Sequence, residues 1–219
     1  MSARAGQWLL IAVGLSIAWG LPELDLGNRI APGPSMEARL VREGVWWGVG
    51  SSLLAYVVFL ERRPLSSIGI RRPTPKTFLV ASIAAVVMLC TVALSYAVIF
   101  PLLGLTVNQA AVARVTDNPG WLIVLMVARA GVIEEILYRG YPIERIREIG
   151  GSNWWAAVIP TAVFVLAHLS VWGAAQLIVV LFGAVLLAIL YIWRRDLICN
   201  MVAHFLVDLV AFLGAPGKN

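Results

Sequence analysis

The stretch Arg129-Ala130-Gly131-Val132-Ile133-Glu134-Glu135-Ile136-Leu137-Tyr138-Arg139-Gly140 sets two adjacent carboxylates and two guanidinium groups just after residues 121–128, which are wholly apolar. In a helix, Glu135 and Arg139 are one turn apart on one face, with the acid N-terminal to the base, the favourable order. Glu134 is rotated off that face, so this spacing predicts an acid with no intrahelical partner, free for proton transfer. The chain has two histidines, His168 and His204, and both lie in apolar runs. Asp208 follows His204 by four residues, and Phe164 precedes His168 by four. One carboxylate and two imidazoles suit water activation: Glu134 takes a proton from water, one imidazole orients that water, and the other donates to the developing negative oxygen. No serine or cysteine stands at a partner spacing from either histidine, which argues against a covalent nucleophile.

The elements that must position these residues are membrane spans. The chain of 219 residues is 60% hydrophobic and 13% charged, with a mean hydropathy of +0.86, outside the range of a soluble domain. Its charge-free runs are too long to hide in a soluble core, so the bilayer is the simpler solvent for them. The net charge of +5 does not indicate nucleic acid, because the basic residues sit between apolar runs rather than on one face. Cys90 and Cys199 each fall inside an apolar run and read as small packed side chains.

Seven spans are expected in a single domain over residues 1–219, an all-α polytopic membrane helix bundle. They cover 5–22, 44–60, a run from 77 that ends around Pro101 and Gly104, 121–148 after the start signal Asn118-Pro119-Gly120, two spans within 153–193 that turn at 170–173, and 197–214. The first is long enough to cross by itself and reads as retained rather than cleaved. The connector 23–43 carries no recognisable chemistry. Gly150-Gly151-Ser152 ends the fourth span.

Basic residues collect on one side: Arg4, Arg62, Arg63, Arg71, Arg72, Lys76, Arg145, Arg147, Arg194 and Arg195, against Arg29, Arg39, Arg42, Arg114 and Lys218 on the other. That asymmetry puts the N-terminus and the Arg145 end of the fourth span in the cytoplasm, and the site is expected to open on that side. At ~1.5 Å per residue, Glu134 lies roughly 16 Å from Arg145, His204 about 10 Å from Leu197 and His168 about 21 Å from Trp154, so the three can meet at mid-membrane.

Plainer roles compete for each residue. Glu135 and Arg139 form a buried ion pair in the simplest reading, Phe164 is packing, Tyr138 is an interfacial aromatic, and Asn200 bonds a neighbouring backbone. Glu134, His168, His204 and Asp208 are also chemically suited to hold zinc. A further alternative is a non-catalytic scaffold or a proton-coupled transporter, although no pair of broken helices in matching halves marks a transporter.

Three motifs in order carry a resemblance. Glu134-Glu135-Ile136-Leu137-Tyr138-Arg139 has the EExxxR form, Phe164 to His168 the FxxxH form, and Asn200 to Asp208 the form of a third motif that holds HxxxN or HxxxD. Over about residues 120–214 the chain resembles the CPBP intramembrane glutamic endopeptidases, which include the type II CAAX prenyl endopeptidase and the bacteriocin-processing Abi proteins. The resemblance implies Glu134 and His168 as the water-activating pair, Glu135 and Arg139 as structural residues, and His204 with position 208 as the oxyanion site. It implies no cofactor. Its substrates would be a prenylated CAAX protein or an unprenylated membrane peptide or leader, and the compact chain favours the second. Asp208 stands where the prenyl endopeptidases have asparagine, and an ionised aspartate cannot donate a hydrogen bond. Either the buried site keeps Asp208 protonated and able to donate, or Asp208 pairs with Arg129, which lies outward of Glu134; the pairing is the expectation, leaving His204 as the main donor.

Overall fold

The computed structural model describes residues 3–150 and 152–214, so Gly151 and Lys218 lie outside the described residues. Eight helices make up the fold: α1 Arg4–Glu23, α2 Met36–Leu60 and α3 Pro75–Leu102, α4 Gln109–Thr116, α5 over 120–150, α6 Asn153–Trp172, α7 Leu177–Arg194 and α8 Leu197–Leu213. A single helical turn, Leu26–Ile30, lies in the first connector. The described residues form no strand. By length and composition α1, α2, α3, α6 and α7 can each cross a membrane, and α8 is apolar but shorter. Only α5 carries acids and arginines along its middle. With α4 set aside, the seven longer helices match the seven expected spans.

The sequence sets the helix starts through side-chain caps. Ser35 accepts from Ala38 N at 3.2 Å to open α2, and Thr74 and Thr77 cap each other's backbone at the start of α3, with Pro75 in the first turn. Asn108 caps α4, and Asp196 caps α8 by accepting from Cys199 N at 3.2 Å. The Ser35 cap moves one boundary: α2 begins at Met36 rather than at 44, so Glu43 belongs to a helix and not to a connector.

Contacts between connectors sort the helix ends into two groups. At one end Arg63 pairs with Glu148 at 2.6 Å, Thr77 donates to Asp196 at 2.9 Å, and Leu197 N donates to Gly69 O at 2.8 Å. At the other, Arg39 bonds Asn118, Arg114 bonds the Val171 carbonyl, and Asn108 N donates to Gln176 at 3.0 Å. These are the two groups that the alternating spans require. One basic residue is not a surface marker, however. Arg145 is fully buried, holding Glu61 through Nε at 2.9 Å and Nη2 at 2.6 Å, with Tyr141 donating to the same carboxylate at 2.8 Å.

Two glycines let α5 sit deep in the bundle. A Cβ on Gly131 would lie 3.0 Å from Phe205 N and 3.1 Å from Met201 O, both backbone atoms of α8. One on Gly140 would lie 2.8 Å from Ile68 O. Small residues at such crossings let backbones approach closely inside a membrane. Cys199 is buried as expected, whereas Cys90 is exposed on the outer face of α3.

Candidate active site

The middle of α5 is not a regular α-helix. Ala130–Glu134 and Ile136–Gly140 are π-helical turns, with Glu135 between them. A π turn closes its hydrogen bond over five residues instead of four, and such turns concentrate at functional sites. In an α-helix Arg129 and Glu134, five apart, would be separated by about 140° around the axis. Across the wider turn they face each other, and Arg129 Nη1 donates to Glu134 Oε1 at 3.2 Å. Glu134 therefore does have an intrahelical partner, contrary to the α-helical reading of its spacing.

His168 approaches the other oxygen. It ends the first part of α6, and its Nδ1 lies 2.7 Å from the Phe164 carbonyl oxygen. A carbonyl can only accept, so Nδ1 carries the hydrogen and Nε2 is turned the other way. Nε2 stands 3.9 Å from Glu134 Oε2. That is too long for a direct hydrogen bond, but one water at about 2.8 Å from each atom would bridge them. Phe164 packs at the centre of this group. Its ring lies 4.2 Å from the His168 ring and 5.1 Å from that of Tyr138, and the Arg139 guanidinium sits over it at 4.1 Å. Tyr138 is buried here rather than interfacial.

Glu135 points into α8. It accepts from Arg139 Nη1 at 2.9 Å and from Asn200 Nδ2 at 3.1 Å, and it lies 2.9 Å from His204 Nδ1. The Glu135–Arg139 pair is thus present as expected, but the carboxylate also fixes His204. Asn200 bonds a backbone oxygen, Leu187 O, at 2.8 Å and in addition holds Glu135. His204 Nε2 is turned to Asp208 Oδ2 at 3.5 Å. Neighbouring residues of α5 thus reach two different helices, Glu134 toward His168 of α6 and Glu135 toward His204 of α8.

The expected pairing of Arg129 with Asp208 is not what forms. Arg129 is held instead by Glu134 and by Glu43 of α2, to which its Nε donates at 3.1 Å, and its guanidinium stacks 5.2 Å from the Trp46 ring. Sequence reading passed over Glu43 because it lies in a polar stretch beyond the apolar run of its span. The only available signal was that a buried Arg129 needs compensating charge.

Exposure changes along the site. Glu135 is fully buried, whereas the side chains of Glu134, His168 and Asp208 are 14%, 18% and 25% exposed. Those three lie toward the helix ends that carry connectors 24–35 and 103–119, and Tyr138, Phe164 and Arg139 close the arginine-rich side. Among the described residues, no group of three or more His, Cys, Asp or Glu side chains is arranged to hold a metal ion. His204 has a carboxylate facing each ring nitrogen.

Residues 116–210 match the family model described as type II CAAX prenyl endopeptidase Rce1-like. Over that region the chain is similar to the CPBP/CAAX protease family. The chain is a multi-pass membrane protein, and the matched region runs from the end of α4 into α8, covering all three motifs. Neither curated proteins nor solved structures gave a match. Glu43, on α2, lies outside the matched region.

Proposed function

We propose that the protein is a glutamic-type intramembrane endopeptidase in which Glu134 activates water. The observation that carries this reading is how the two oxygens of Glu134 are divided. Oε1 is occupied by Arg129, and Oε2 faces His168 Nε2 across 3.9 Å. Water held there gives a proton to Oε2 while His168 orients it, and the hydroxide oxygen bonds to the scissile carbonyl carbon. His204 is fixed through Nδ1 by Glu135, and its Nε2–H, which faces Asp208 in the resting site, turns to donate to the developing oxyanion. As the C–N bond breaks, protonated Glu134 passes its proton to the leaving amine. Carboxylate and products are then restored to their starting protonation.

The family match favours a CAAX-type substrate, a prenylated protein cut near its C-terminus, over the leader peptide that the compact chain suggested. Entry is between helices. The test uses the full chain reconstituted in liposomes with an internally quenched farnesylated CAAX peptide. Glu134→Gln should reduce kcat by about 10²–10⁴-fold, the range for losing a general base, with the thermal melt unchanged. Turnover by Glu134→Gln at the wild-type rate would remove the glutamate mechanism. A metal chelator is expected to leave turnover unchanged, and loss of activity restored by zinc would establish the metalloprotease alternative instead.

A further inference from the structure

We infer that Glu43 of α2, acting through Arg129, positions the catalytic carboxylate, so that the catalytic unit extends beyond the three-motif region. The inference rests on the reading of Glu134 as the base. Arg129 links the two acids: its Nε is bound to Glu43 Oε2 at 3.1 Å and its Nη1 to Glu134 Oε1 at 3.2 Å. Glu43 and Trp46 are three residues apart on α2, so one face of that helix supplies both the carboxylate and the ring that hold the guanidinium. All three charged side chains are largely buried, with side-chain exposures of 10% for Glu43 and 14% for Arg129 and Glu134. Two buried carboxylates thus share one permanent cation.

That division decides what Glu134 can do. An arginine fork left alone with one carboxylate binds both oxygens in a bidentate pair. Here Glu43 holds one side of the fork, leaving a single donor on Oε1 of Glu134. Oε2 remains turned to His168. Without Glu43, Arg129 can close on both oxygens of Glu134 and draw Oε2 away from the water position. Displacement of a reacting group by about 1 Å costs on the order of 10²-fold in rate, and substrate binding is untouched because Glu43 lies behind the base.

The experiment is kinetic, on the reconstituted full chain with the farnesylated peptide. Glu43→Ala should lower kcat by about 30- to 100-fold with KM within two-fold, and Glu43→Gln, which keeps an acceptor but loses the charge, by about 10-fold. In an Arg129→Ala background, Glu43→Ala should cost no further kcat, since its only route to Glu134 is gone. A structural role would instead add to the Arg129→Ala loss and lower the melting temperature. Should Glu43→Ala fail to fold, the isosteric Glu43→Gln gives the same readout. Wild-type kcat in the Glu43 variants, or an equal loss in both backgrounds, overturns the inference. Glu134→Gln in the same assay separates the two failures: if it is inactive while the Glu43 variants are normal, only the positioning role falls.

Discussion

Replacing Arg139 by methionine removes the one permanent cation beside a fully buried carboxylate. Glu135 keeps Asn200 and His204, and the methionine chain fills most of the space of the arginine stem, so the change isolates the charge. Breaking a buried ion pair from one side costs about 3–5 kcal/mol, because the remaining charge is stranded in low dielectric. Loss of the guanidinium from above Phe164 adds roughly 0.5–2 kcal/mol. For a chain of this size each kcal/mol moves the melting temperature by about 2–4 °C, so Arg139→Met should melt on the order of 10 °C below wild type. Tryptophan fluorescence in detergent micelles reads this directly. The double variant Glu135→Gln/Arg139→Met removes both charges and leaves an amide that can still meet Asn200. Removing both members of a buried pair is far less costly than removing one, so the double variant should regain at least half of the lost temperature. Two results would refute the reasoning: a single variant within 2 °C of wild type, or a double variant less stable than the single.

Asp208→Asn replaces a carboxyl with an amide that can donate to an oxyanion at any pH; kcat should stay within about three-fold of wild type, while Asp208→Ala, which leaves only His204, should lose on the order of 10²-fold in the peptide assay. Gly131→Val should overpack the α5–α8 crossing by at least about 1–3 kcal/mol, since a Cβ there meets backbone atoms of Phe205 and Met201 that cannot rotate away; a melting curve superimposable on wild type would contradict the close approach. In a Cys90→Ala/Cys199→Ala background, an impermeant maleimide applied to intact cells should label Ala110→Cys and spare Arg71→Cys, because the basic connectors belong on the cytoplasmic side; the reverse pattern would put the less buried edge of the site in the cytoplasm.

The spans and the site were legible in the sequence to different depths. Apolar runs set off by Trp46, Trp47, the Arg62-Arg63 pair and Arg194-Arg195 marked nearly every helix, because burial in lipid demands length and apolarity at the same time. The Glu135–Arg139 pair followed from four-residue spacing, and it survives because Glu135 sits between the two widened turns and Arg139 still falls below it. Partners across helices were beyond reach of periodicity. That Glu135 holds His204, and that Asn200 completes the cage, depends on how closely α8 approaches α5, which Gly131 permits but does not announce.

The instructive miss is Arg129. Counted at 3.6 residues per turn it points away from Glu134, which left the acid unpartnered and the arginine available for Asp208. The π turn Ala130–Glu134 inserts the extra residue that reverses both conclusions. A π turn gives up regular α-helical hydrogen bonding, so it persists where tertiary contacts hold it. Here the holding contacts are Glu43 and Trp46 on one side and the tight α8 crossing at Gly131 on the other. The turn brings Arg129, which Glu43 and Trp46 of α2 also hold, within reach of the acid that faces His168.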